Sequence, residues 1–191
     1  MSNQDYYNNA PQEYRDTRYT GPDSYSGGDD FSSAAHHASE HHSSEDRSFF
    51  DNALGFLQER KGQFSQPDNV QVDESHALNA HQALYGGGGE GQTHDSGSVG
   101  AGAAVEALKM FTSGGSSDGG FDKNKLIGLA MAQAGKLWDE KQGSGANMSG
   151  DKQSAINNAA ETALKMYLKG GGGVSGTGGP SDLLSLASKF F

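Results

Sequence analysis

No cysteine occurs in the 191 residues, which excludes a disulfide framework and thiolate chemistry. No apolar run approaches the roughly 18–20 residues that a membrane-spanning helix needs. The opening Met-Ser-Asn-Gln-Asp-Tyr-Tyr has neither the basic start nor the apolar stretch of a secretory signal. Basic residues are scarce as well, 14 against 24 acids, for a formal charge of −10. Such a surface repels phosphate backbones and anionic membranes, so neither nucleic acid nor a membrane surface is an expected partner. The terminal Lys189-Phe190-Phe191 is not a peroxisomal address. A cytoplasmic setting is expected, with the nucleus as the second choice. Apolar residues make up 33% of the chain while glycine alone contributes 29, so a modest core can form, though not over the full length.

What is present is a repeat. Ala103-Ala104-Val105-Glu106-Ala107-Leu108-Lys109-Met110-Phe111, followed by Gly114-Gly115, returns 56 positions later. The second copy is Ala159-Ala160-Glu161-Thr162-Ala163-Leu164-Lys165-Met166-Tyr167, followed by Gly170-Gly171. Eight of the thirteen aligned positions are identical, which predicts a duplicated helix with a glycine stop. A weaker echo links Leu126-Ile127-Gly128-Leu129-Ala130 with Leu183-Leu184-Ser185-Leu186-Ala187. The predicted unit is therefore a pair of helices used twice, over about residues 99–142 and 152–191.

Residues 1–47 hold five of the seven tyrosines among Asn, Gln, Asp, Ser and Gly, with nine acids and three arginines. Their apolar content is too small to offset the entropy of ordering, so this acidic head is predicted to be disordered, a solubilising tail or a set of tyrosine stickers. Its His36-His37-Ala38-Ser39-Glu40-His41-His42 is the stretch with ligand chemistry. On a helix, His37 and His41 stand at i and i+4 with Glu40 nearby. The candidate metal ligands are His36, His37, His41 and His42, with zinc as the ion; the plainer reading is a solvated polar lead-in. No other cofactor is expected.

A helical domain is predicted over residues 48–191, six short helices joined by Gly-rich loops. Ser48 is the expected cap of the first, which stops at Gly62; Asp73 and Asp122 cap later helices, and Pro180 opens the last. Gly128 and Gly135, seven apart on one helix, predict close approach of a neighbouring helix. His76 and His81, five apart, read as solvated or core-edge histidines. Leu108, Phe111, Leu126, Met131, Trp138, Leu164, Tyr167, Phe190 and Phe191 are the core and interaction candidates. The fold class is thus all-α: a small irregular bundle behind a disordered head.

Catalytic motifs fail on context. Gly115-Ser116-Ser117-Asp118-Gly119 has the letters of a nucleophile elbow but no strand before it. Gly135-Lys136 lacks both the leading glycine and the Ser or Thr of a phosphate loop. Glu106 and Glu161 occupy non-equivalent repeat positions, so they form no symmetric acid pair. No enzyme activity is expected.

The Gly/Tyr/Asp-rich head, the histidine cluster and Asp73-Glu74 with His81-Gln82-Ala83-Leu84-Tyr85-Gly86 carry a resemblance. So do the two Ala-Leu-Lys-Met segments and the terminal Leu186-Ala187-Ser188-Lys189-Phe190-Phe191. Together they resemble a family of small, uncharacterised fungal proteins labelled "beta-flanking protein". The resemblance implies an all-helical fold and a fungal cytoplasmic setting, and supplies no activity. Two functions compete. The first is a non-catalytic interaction or structural protein, stress-linked and self-associating or protein-binding through its Phe49-Phe50 and Phe190-Phe191 ends. The second is a carrier of a small apolar ligand or lipid in a gap between the repeat helices, with a histidine metal binder as a further variant.

Overall fold

The two Ala-Leu-Lys-Met helices lie against each other at the centre of the computed structural model, which describes residues 31–43, 46–87, 91–113, 122–170 and 180–191. Residues 1–30 of the predicted head, and the glycine runs at 114–121 and 171–179, lie outside the described residues, as does the Gly115–Gly119 motif. The fold is all-α. Among the described residues it has α1 (Ser32–His41), α2 (Arg47–Phe64), α3 (Glu74–Tyr85), α4 (Ser96–Ser113), α5 (Lys123–Gly143), α6 (Lys152–Lys169) and α7 (Pro180–Ala187). A 3-10 turn spans Pro67–Val70, and two three-residue strands, β1 (Thr93–Asp95) and β2 (Asn147–Ser149), pair in parallel.

The strands are an addition to the expected architecture, and their position explains the repeat. β1 leads directly into α4 and β2 into α6, with His94 opposite Met148. The duplication also extends further than the apolar letters. Asp95 Oδ1 accepts from Ser98 N at 2.8 Å and its Oδ2 accepts from Ser98 Oγ at 2.8 Å. Asp151, 56 positions on, makes the same two bonds to Ser154 at the same distances. α3 packs along α4 and α5 along α6, whereas α7 touches α4 and α6 only lightly. Each repeat helix thus follows the same helix–strand lead-in, α3-β1-α4 and α5-β2-α6, and α4 packs on α5 as well as on α3. Ser96 clips the halves together, donating to the carbonyls of Ser149 and Asp151 at 3.3 and 3.1 Å and accepting from Asp151 N at 3.0 Å. Gly150 is required in that turn, because its φ is +99° and a Cβ would run into Ser96 Oγ.

α4 is buried nearly all round from Val99 to Leu108, as a helix enclosed by α3, α5 and α6 must be. Its residues there are mostly Ala and Gly, and small side chains let backbones approach. A Cβ on Gly100 would lie 2.6 Å from Asn158 Cβ and 2.8 Å from both Ala155 O and Ala159 N. The two repeat helices approach closely at that crossing. Leu108, Leu126, Met131, Leu164, Tyr167 and Phe190 belong to the main core, with Phe111 packed at its edge; Trp138 joins a smaller cluster with Leu84, Val99, Leu137 and Ala155.

Two boundaries differ from expectation. α2 begins at Arg47, and its N-cap residue is Asp46 rather than the flank of Ser48. Asp46 makes no side-chain cap bond because its carboxylate is held by Lys152. The helix also runs through Gly62 to Phe64, since nothing crowds or unwinds it there. The second correction concerns the head: residues 32–41 form α1, which packs on α5 and buries Ala34, Ala35 and Ala38. Three alanines cover little apolar area, yet α5 offers glycine where they land. A Cβ on Gly128 would meet Ala34 O at 2.6 Å and His37 Cβ at 2.7 Å. One on Gly135 would meet the His42 ring at 3.1 Å. The two glycines form the groove that admits α1, the close approach expected of them.

Candidate functional site

α1 and its C-cap His42 send the histidines of this stretch in different directions. His36 and His37 gather with Glu40 on one turn, where one ligand atom from each lies within 4.8 Å of the others. His36 Nδ1 is 3.6 Å from Glu40 Oε1, and His37 Nδ1 is 3.4 Å from Glu40 Oε2. On the far side of the His37 ring, Nε2 lies 3.9 Å from Asp122 Oδ2 at the start of α5. His41 is exposed and joins neither group, so the expected His37–His41 pair is replaced by His36–His37–Glu40. Adjacent histidines suffice here because Glu40, three and four residues on, lies over both.

His42 turns the other way. Its Nε2 is 2.6 Å from Asp46 Oδ2 and 3.6 Å from Asp139 Oδ2, the first contact falling outside hydrogen-bond geometry. The Lys152 ammonium reaches both carboxylates, at 2.8 Å to Asp46 Oδ1 and 2.7 Å to Asp139 Oδ2. This quartet joins the end of α1, the start of α2, the body of α5 and the start of α6. Burial alone would lower the pKa of Lys152, but the hydrogen bonds to Asp139 and Asp46 outweigh it and raise it. Ligand atoms of His42, Asp46 and Asp139 lie within 4.8 Å of one another, and the Lys152 ammonium supplies a cation to both carboxylates. The arrangement is a clasp in which one ammonium bridges two carboxylates from different helices. Sequence reasoning missed Asp46, Asp139 and Lys152, which stand up to 106 residues apart with no shared pattern.

The third locus is aromatic and lies where α3, α4 and the C-terminal end meet. His81 Nε2 is 2.7 Å from Glu106 Oε2, so His81 is tied rather than solvated. Its ring stacks on Tyr85 at 5.0 Å and meets Phe191 edge-on at 6.1 Å, while Lys109 Nζ sits 5.4 Å over the Phe191 ring. Partial burial, then the Glu106 and Glu140 carboxylates, push the pKa of the Tyr85 hydroxyl up. Phe190 turns into the core, but Phe191 is 57% exposed and Tyr85 38%. At the other predicted sticky end Phe50 is fully buried and Phe49 half-buried, which removes that end as an apolar surface. Glu161, for its part, pairs with Arg60 and Lys165, so Glu106 and Glu161 serve different helices.

No helix among the described residues is long and apolar enough to cross a membrane. Comparison with curated proteins and with solved structures returns no match. Residues 30–116, from the start of α1 to the end of α4, match the model of an uncharacterised family, described as a domain of unknown function (DUF7721).

Proposed function

We propose that this protein is a non-catalytic interaction module that self-associates through the Tyr85–His81–Phe191 patch. The carrying observation is Phe191, the most exposed large apolar side chain among the described residues, stacked into a ring cluster rather than standing alone. The occupant argued for is a second copy of this chain. The patch holds its own complements, a lysine over an aromatic face beside glutamates, which is what a two-fold contact between identical surfaces needs. His81, Glu106 and Lys109 are paired with one another, in keeping with a binding rather than a catalytic role. The net charge of −10 argues against a nucleic-acid partner. A cytoplasmic setting goes with this reading.

Light scattering on the full chain at about 100 µM tests it, with Phe191→Ser as the variant. A dimer mass that falls to the monomer in Phe191→Ser is the expected result. A monomer in both, or a dimer indifferent to the substitution, would overturn the reading. Because Phe191 is mostly exposed, the variant keeps the core.

A further inference from the structure

We infer that the His36–His37–Glu40 turn of α1 is a binding site for a divalent zinc ion. The donors are two imidazole nitrogens and a carboxylate oxygen, a set that suits a borderline ion such as zinc and leaves a fourth position for water. Spacing agrees with tetrahedral coordination. Bonds of about 2.0–2.1 Å put neighbouring ligand atoms about 3.3–3.4 Å apart. Before any ion draws them in, His36 Nδ1 is 3.6 Å from Glu40 Oε1, His37 Nδ1 is 3.4 Å from Glu40 Oε2, and one ligand atom from each of the three residues lies within 4.8 Å of the others.

Two further observations set this turn apart from a chance surface cluster. The first is the wall behind it. α1 is seated in the Gly128–Gly135 groove, with His37 Cβ and the Ala34 carbonyl packed against Gly128, so the ligand-bearing backbone is fixed. The second is Asp122. A zinc-bound histidine commonly directs its other ring N–H at a carboxylate, which fixes the tautomer and strengthens the ligand. His37 is placed for that arrangement: Nδ1 faces Glu40, and Nε2 points to Asp122 Oδ2 at 3.9 Å, just beyond direct hydrogen-bond reach. Asp122 is held by its own work as the N-cap of α5, accepting from Asn124 N at 2.9 Å. A zinc ion here would fasten α1 at the point where it crosses the start of α5.

Calorimetric titration of zinc into the full chain, in a non-chelating buffer near pH 7.5, tests the site with three variants. His36 is 71% exposed, so His36→Ala leaves the fold alone and should weaken binding tenfold or more. Asn caps a helix as well as Asp does, so Asp122→Asn should leave the melting temperature unchanged while weakening zinc by about tenfold. His41→Ala should bind like the parent chain. One equivalent bound with that ordering supports the assignment. Absence of saturable binding, or an equal loss in His41→Ala and His36→Ala, overturns it, because scattered histidines would then account for the uptake.

Discussion

Asp95 and Asp151 repeat one another in sequence and in the two bonds their carboxylates make to a serine, so they measure what a cap is worth in this fold. Each accepts from the backbone N–H and the hydroxyl of the serine three residues on. In both, the backbone bond to that serine holds the pKa below the ordinary 3.8, and the serine hydroxyl lowers it further. A carboxylate whose folded pKa is depressed contributes stability above its unfolded pKa and loses it as pH falls through the folded one. Replacing either residue by alanine should cost about 1 kcal/mol near neutrality. The deficit should shrink below pH 3.8, because the parent chain loses the same charge there. Urea titrations near pH 7 and pH 3 compare the two; a deficit that stays constant would mean charge plays no part in the cap. This pair was legible in principle. An Asp-x-x-Ser spacing at the 56-residue offset stands in the sequence, its aspartate eight residues upstream of Ala103 and of Ala159, where the apolar likeness begins.

At the level of elements, the docking of α1 on α5 was half legible. The glycines of α5 announced a close neighbour through their cost in a helix, but which neighbour was hidden, because α1 brings three alanines instead of a hydrophobic stripe. β1 and β2 were invisible for a similar reason. Thr-His-Asp and Asn-Met-Ser are three residues each, too short for alternation to signal a strand, and they pair because the helices on either side place them together. The clasp of His42, Asp46, Asp139 and Lys152 likewise exists only through tertiary packing. The glycines give a test whose sign discriminates. Alanine is up to about 1 kcal/mol better than glycine in an open helix. At Gly55 on α2 a Cβ meets nothing within 4 Å, so Gly55→Ala should raise stability. At Gly128 the same Cβ would press on Ala34 O and His37 Cβ, and backbone cannot swing aside. Gly128→Ala should therefore lose about 1–3 kcal/mol and speed hydrogen exchange over residues 32–41 without affecting α6. If both substitutions stabilise, α1 is not seated in that groove.

For the molecule as a whole, the consequence of the duplication is that neither half is complete. The stretch matching the uncharacterised family, residues 30–116, contains α1, α2, α3, β1 and α4. What it leaves out is most of what those elements pack on. α4 is buried between α3 on one side and α5 and α6 on others, and α1 rests on α5. β1 has β2 as its partner, and α2 packs chiefly on α6. Cut at residue 116, the first half would expose Ala103, Ala104, Val105, Ala107 and Leu108 together with an unpaired strand edge, too much apolar surface to leave wet. The fragment 30–116 should therefore show no cooperative urea transition as a monomer, although helix content persists by circular dichroism. Adding the complementary fragment 117–191 should restore a single sharp transition, since Ser96 and the strand pair supply a defined seam between the halves. A cooperative, monomeric 30–116 would mean that the second copy is an appendage rather than half of one core.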